Sequence, residues 1–410
     1  MSVNFQPVLL GSDINVYGMA RSFFEEYGVK SVAIAKGILH VCQNSKIVSV
    51  EVVEPELEND EIFVNTLLDF AKRYEGSGKK LLLVPCGDNY IKYLVRNQDK
   101  LRGTYEFECI GEELLMQLSI KESFYEVCTK HGFLFPKTTT CTYETYEGFE
   151  PGLEYPLIVK PSNSVAYWNC SFPHKKKVFV AQDEAEFRLI LKSIYGSSYK
   201  DTLIVQEYIP GADDNMRVMN CFSGRDKKVK MISLGHAILE EHTPFGIGSY
   251  AAIITGAQDE KLMNQIKDFL EDIGYIGYSN FDIKLDPRDG QYKLFEMNLR
   301  QGRSSFFVTA AGCNLAKYIV EDVLEHKEME LTICKNKVLW KLIPNRIIFD
   351  YVESEDIKAE ARKLIKEGKV SRSYYFKGDR SIKRYIRFVK NQIIYISNYK
   401  KYFNNKGVYN

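Results

Sequence analysis

The stretch LFEMNLRQGRSSFF, residues 294–307, decides how the rest of the chain reads. Its first half alternates. Glu296, Asn298 and Arg300 fall at every second position and, in a strand, share one face, while Leu294, Phe295, Met297 and Leu299 supply most of the apolar packing. A strand that aims a carboxylate, an amide and a guanidinium to one side is either a solvated edge or a working surface. Upstream, YSNFDIKLDPRDGQYKLFEMNLR, residues 278–300, reads as a hairpin turning at DPRDG, which brings Asp282 toward Glu296 and Asn298. All three are oxygen donors, the hard ligands that suit Mg²⁺, an ion that takes one or two carboxylates plus phosphate oxygens. A polar hairpin face with a cross-strand charge pair accounts for the same residues.

With 410 residues the chain exceeds one ordinary core, and 45% hydrophobic with 13% aromatic residues excludes a largely disordered one. The net charge of +1 does not point to a polyanionic partner, and no nucleic-acid module accompanies the basic residues. Charge is uneven, however: from Leu331 onward there are 19 Lys and Arg against 7 Asp and Glu. Nine cysteines form no CxxC pair, so unpaired thiols in a reducing compartment are expected. The N-terminus lacks a basic, apolar leader pattern and no 18-residue apolar run occurs, so a cytoplasmic protein is expected.

Residues 1–115 alternate apolar runs (QPVLLG, KSVAIAKG, KKLLLVPCG) with helical patterns (VYGMARSFFEEYG, IFVNTLLDFAKRYEG), the signature of an α/β domain with a parallel sheet. Ligands of such sheets sit at the carboxyl ends of strands, so Gly11, Ser12 and Asp13, and later Gly87 and Asp88, are candidate binding loops; helix capping explains them equally well. Residues 116–200 open with the helix KESFYEVCTKHG and continue through the strand PLIVKP. Residues 201–330 hold DTLIVQEYIPGADDN, two antiparallel strands and the closing hairpin, and residues 331–410 form the basic segment. Two α+β lobes behind an α/β domain are expected.

Lys160 ends the apolar strand PLIVKP, where an ammonium is costly unless it meets an anion such as phosphate. Lys121 opens a helix, where the macrodipole disfavours a cation and attracts phosphate. Snorkelling and plain solvation are the alternatives for each.

The order of these motifs resembles the ATP-grasp superfamily: Lys121 before a linker helix, Lys160 ending a strand, the hinge QEYI at residues 206–209, then Asp282, and Glu296 with Asn298. The resemblance implies ATP between two α+β lobes behind a parallel-sheet domain. It also implies a hinge of Gln206, Glu207, Tyr208 and Ile209 reading the purine, and a ribose carboxylate at Asp214. Lys121 and Lys160 would then lie on the phosphates, with two Mg²⁺ on Asp282, Glu296 and Asn298. The chain departs from the pattern at SNSVAYWNCSF, which follows Lys160 where many members carry a glycine-rich phosphate-covering loop.

A closer resemblance spans nearly the whole chain. GSDINVYGMARSF, IVQEYIPGADDNMRV, LGHAILEEHTPFGIGSY, DPRDGQYKLFEMNLRQGRSSFFVT and DRSIKR are similar to the D-aspartate ligases of Gram-positive peptidoglycan synthesis. Those enzymes join the β-carboxylate of D-aspartate to a lysine amine of the cell-wall stem peptide. The resemblance implies an amino-acid carboxylate donor and an amine acceptor on a UDP-linked or lipid-linked muramyl peptide. In that reading Arg300 and Lys160 stabilise the transferring phosphoryl group, Arg300 also serves the oxyanion, and Arg303, Ser304 and Ser305, beyond the turn at Gly302, grip the amino acid. Arg217 is a further substrate candidate and a surface ion-pair candidate alike; His236 is either a general base or a buried structural histidine. Segment 162–176 and the loop EEHTPFGIGS are the expected lids, and RSIKRYIRFVKNQIIYISNYKKYF is either a packed helix or a peripheral membrane contact.

Overall fold

In the computed structural model, which describes residues 4–244 and 246–403, the N-terminal domain is a parallel sheet in the order Val48–Val53, Ser31–Ala35, Phe5–Leu10, Lys80–Pro85. The two central strands are buried along their whole length, as strands covered by helices on both faces must be. Helix Ile14–Tyr27 starts where Asp13 accepts the N–H groups of Asn15 and Val16, and stops at Gly28, whose φ of 65° lets the chain turn away.

The small lobe is an antiparallel sheet ordered Thr138–Cys141, Leu203–Glu207, Leu157–Pro161, Phe179–Ala181. Helix Glu184–Tyr195 seals it with Phe187, Ile190, Leu191 and Ile194 in a core of its own. The hinge strand belongs to this sheet, so the lobe ends beyond Glu207 rather than at residue 200. The large sheet runs Gln291–Asn298, Gly277–Asp286, Met216–Ser223, Val229–Glu240, Tyr250–Thr255, Leu339–Lys341, Val370–Ser371. Its core merges with the N-terminal domain: one cluster joins Val8 and Leu10 to Met219 and Phe281, another joins Phe5 and Tyr17 to Val218 and Trp340. Close-packed interiors move as units, so these two parts form one block and the small lobe is the separate body.

The segment from residue 331 is not an appended extension. Thr332–Ile333 pairs with Val229–Glu240, Leu339–Lys341 with Tyr250–Thr255, and Val370–Ser371 follows, so the large sheet is incomplete without it. Residues 404–410, the last of the basic segment, lie outside the described residues. Cys313 and Cys334 form a disulfide, against the expectation of unpaired thiols throughout; the other seven cysteines are free and buried. No described helix is long and apolar enough to cross a membrane.

Helix Ile382–Tyr402 is clamped to the N-terminal domain by a buried network. Arg384 donates to the carbonyls of Val41 (2.9 Å) and Gln43 (3.1 Å) and lies 3.2 Å from Asp379. Asp379 in turn accepts Tyr17 Oη (2.6 Å), Ser45 Oγ (2.8 Å) and the Lys46 N–H (2.6 Å). Removing one partner of a buried charge pair leaves the other uncompensated. Asp379→Ala is therefore expected to cost about 3 kcal/mol, read as a lowered urea midpoint, whereas a like change at exposed Glu353 should leave the midpoint in place.

Candidate active site

The hairpin register sets Asp282 opposite Glu296 and Asn280 opposite Asn298. Tyr250 Oη donates to Asp282 Oδ1 (2.7 Å), and Asn298 Nδ2 donates to Asn280 Oδ1 (3.1 Å) and, at 3.4 Å, reaches Asp282 Oδ2. Across the cleft the linker helix brings Lys121 Nζ to 3.7 Å from Glu296 Oε2, a carboxylate deep in the protein yet 48% exposed toward the cavity. Lys160, from the small lobe, lies against Lys121, and Lys177 adds its field to the same two carboxylates.

Charges here disturb one another strongly. Burial and then the Glu296 carboxylate push Asp282 up to about 6. Burial would also raise Glu296, but Lys121, Lys160 and Lys177 outweigh it and hold Glu296 below its ordinary range. Burial lowers Lys121, and Glu296, Tyr125 and the contact with Lys160 together more than offset this. Lys160 falls well below its ordinary value through burial and the neighbouring Lys121, so an anion between them would recharge it. Among the described residues no three His, Cys, Asp or Glu side chains converge. Two carboxylates and an amide instead fit an ion that brings water and phosphate oxygens with it, as Mg²⁺ does.

This cluster closes one end of a cavity of about 490 Å³ between the lobes. Ile158, Met216 and Phe295 give it apolar walls, and Glu207, Tyr208 and Ile209 form its hinge side. Gln206 lines it as well, but its side-chain amide is engaged: Nε2 donates to Tyr125 Oη and Thr138 Oγ1, both at 2.7 Å, which fastens the hinge strand to the linker helix. Glu207 likewise spends its carboxylate on the Lys137 N–H (3.0 Å) and Arg288 (3.3 Å), and Lys284 Nζ donates to the Ile209 carbonyl at 2.9 Å. Lys177, the residue after the 162–176 segment, reaches the EEHTPFGIGS loop at the cavity: its backbone N–H donates to the Pro244 carbonyl (3.1 Å) and its Nζ to the Ile247 carbonyl (3.2 Å). The glycine-free loop is braced by Lys175, which donates to the carbonyls of Trp168 (2.9 Å) and Cys170 (2.6 Å).

Beyond the carboxylates, the strand continues into the N-terminal domain. Arg300 Nη2 donates to Asp88 Oδ2 at 2.8 Å and to Asn298 Oδ1 at 3.2 Å, while its buried Nε–H has no partner among the described residues. Arg303 pairs with Glu241 at 3.2 Å. Asp13 faces both arginines: burial raises its carboxyl, and Arg300 and Arg303 partly offset the rise. The carboxyl ends of the parallel strands thus meet the end of the strand that carries Glu296 and Asn298. Gly302 is needed there, since a Cβ would sit 2.8 Å from the Asn280 amide.

No family model matches the chain. A D-aspartate ligase from Enterococcus faecium is 43% identical over 412 residues, covering 98% of this chain and 97% of that protein. The chain belongs to the D-aspartate ligase family. It is an ATP-dependent, ADP-forming carboxylate–amine ligase. The carbamoyl phosphate synthase large chain of Pasteurella multocida is 25% identical over 252 residues, 58% of this chain and 22% of its own length. In fold, the chain matches an ADP complex of N5-carboxyaminoimidazole ribonucleotide synthetase (TM-score 0.60, 13% identity, 97% and 98% coverage). An L-amino acid ligase from Bacillus licheniformis also matches (TM-score 0.55, 14% identity, 79% and 75% coverage). The architecture is the ATP-grasp fold.

Within this ligase several expected residues stand elsewhere. Met216 lines the cavity, so Arg217, next along the strand, faces the other way and donates to the Asp214 and Met216 carbonyls. His236, its cross-strand partner, puts Nε2 on the Asp214 carbonyl at 2.7 Å and does not line the cavity; burial and then Arg217 lower it to about 4. Asp213, not Asp214, lines the cavity, bound to the Glu240 N–H (3.0 Å) and His242 (2.7 Å). Ser12 spends its hydroxyl on the Gly37 carbonyl (2.6 Å) and the Leu39 N–H (3.2 Å), and Ser304 and Ser305 are buried at the start of helix Phe306–Ala310. Lys177, Tyr250 and Asn280 were missed; only HKKK at 174–177 carried a signal, and loop lysines are usually solvated.

The Asp282 shift has a consequence for stability. The folded state holds this proton more tightly than the unfolded chain, so its contribution to stability falls as pH rises from the ordinary 3.8 to about 6. Melting of the nucleotide-free protein should show that slope, and Asp282→Asn should flatten it.

Proposed function

We propose that this ligase activates the β-carboxylate of D-aspartate as an acyl phosphate and joins it to the lysine side-chain amine of a peptidoglycan stem peptide, carried on UDP or lipid, in the cytoplasm. The full-length identity to the enterococcal D-aspartate ligase is the observation that supports the substrate pair. The residues around the cavity support the route.

ATP would lie along the hinge of Glu207, Tyr208 and Ile209, with Asp213 near the ribose and Lys121, Lys160 and Lys177 on the phosphates. Asp282, Glu296 and Asn298 would hold two Mg²⁺, which when bound neutralise charge on the transferring phosphoryl group. Lys160 gains its proton as the phosphates arrive and then stabilises the γ-phosphoryl. The donor carboxylate attacks phosphorus and ADP leaves. The amine then attacks the acyl carbon, and phosphate departs with the former carboxylate oxygen. Arg300 is placed between the carboxylate cluster and the parallel-sheet domain, and its unused Nε–H is available to the oxyanion. Arg303, beside Asp13, would hold the α-carboxylate. Acyl phosphates hydrolyse, and the meeting of loops at Lys177 excludes water.

Glu296→Gln should abolish ADP formation while the circular dichroism spectrum stays that of the folded protein, and Arg300→Lys should lower kcat by about 10²- to 10³-fold. Incubation with ATP, Mg²⁺, UDP-linked muramyl pentapeptide and a panel of D- and L-amino acids should give, by mass spectrometry, a peptide heavier by one dehydrated aspartate with the D-isomer alone. ADP release matched to another amino acid would redirect the donor assignment.

A further inference from the structure

The C-terminal helix Ile382–Tyr402 has two unlike faces. One is fastened to the enzyme: Arg384 and Tyr399 are buried, Gln392 donates to the Leu342 carbonyl (2.8 Å), and Tyr395 Oη reaches Glu241 Oε1 (3.4 Å). The orientation of the helix is therefore fixed. On the opposite face stand Ile382, Ile386, Val389, Ile393 and Ile396, spaced by four, three, four and three residues, which at 3.6 residues per turn makes one continuous stripe. Ile382 is 80% exposed, and Ile386 and Ile393 are each 62% exposed. A row of open isoleucines is not a solvated face.

Charge tells what covers it. Lys383, Lys390, Lys400 and Lys401 are exposed beside the stripe, and no Asp or Glu occurs between Arg380 and Phe403. A second copy docked by two-fold symmetry would set these cations against their own images, which is repulsive. An anionic bilayer receives both parts: isoleucines enter the acyl boundary and lysines meet phosphate headgroups. The neighbouring loop, clasped by Arg387 through the His40 carbonyl (2.6 Å), adds exposed Ile38 and Leu39. Its inner side is held by Ser12, next to Asp13 at the arginine end of the site.

We propose that this helix face docks the enzyme on the surface of an anionic phospholipid bilayer, with the helix lying in the interface and not crossing it. The proposal does not depend on which amino acid is ligated. Full-length protein is expected to co-sediment with vesicles of phosphatidylglycerol and phosphatidylcholine but not with phosphatidylcholine alone, and added salt should weaken the binding. Ile386→Glu combined with Ile393→Glu should lower the affinity at least about tenfold while melting temperature and turnover on a soluble acceptor stay unchanged. Lys383→Glu with Lys390→Glu, a change that removes no apolar surface, should do the same. Failure of the wild-type protein to sediment with anionic vesicles, or undiminished binding by both variants, would overturn the proposal. So would a solution dimer that the isoleucine variant splits.

Discussion

The Glu296 carboxylate is the point on which the three parts of this chain converge. It sits on the last hairpin of the large sheet, meets Lys121 of the linker helix at 3.7 Å, and feels Lys160 from the small lobe. In water such pairs contribute little, but in a cleft where burial raises Asp282 and depresses Lys160, each charge is tolerable only beside the others. The lysines are the partners of the carboxylates, and these pairs hold the two halves of the site in register.

The packing fits that role. The parallel-sheet domain and the large sheet share their cores, whereas the small lobe closes a core of its own around Phe187 and Ile190. One block carries Asp13, Asp88, Arg300 and the carboxylates; the other body carries Lys160 and the 162–176 segment. The contacts of Lys177 with the Pro244 and Ile247 carbonyls join the small lobe to the block across the cavity mouth.

The sequence was most readable where a pattern has one physical cause. Alternation in residues 294–300 and the turn DPRDG produced the hairpin with Asp282 opposite Glu296, and continuous apolar runs produced the parallel sheet. It was least readable where long-range geometry chooses among neighbours. Asp213 and Asp214 are indistinguishable as letters, and only the short turn at 213–215 selects the one that faces the cavity. His236 and Arg217 carry suitable chemistry, yet strand pleat turns them from the site. The basic tail hid its strands because two- and three-residue strands such as Val370–Ser371 and Leu339–Lys341 leave no periodic trace. The Cys313–Cys334 pair likewise depends on tertiary proximity alone.

The central claim is that a carboxylate is activated as an acyl phosphate before the amine attacks. Supplying D-aspartate labelled with oxygen-18 in its β-carboxylate and analysing the released phosphate tests it directly. One heavy oxygen is expected in each phosphate formed during ligation. Phosphate free of label, with ligated product still accumulating, would contradict it.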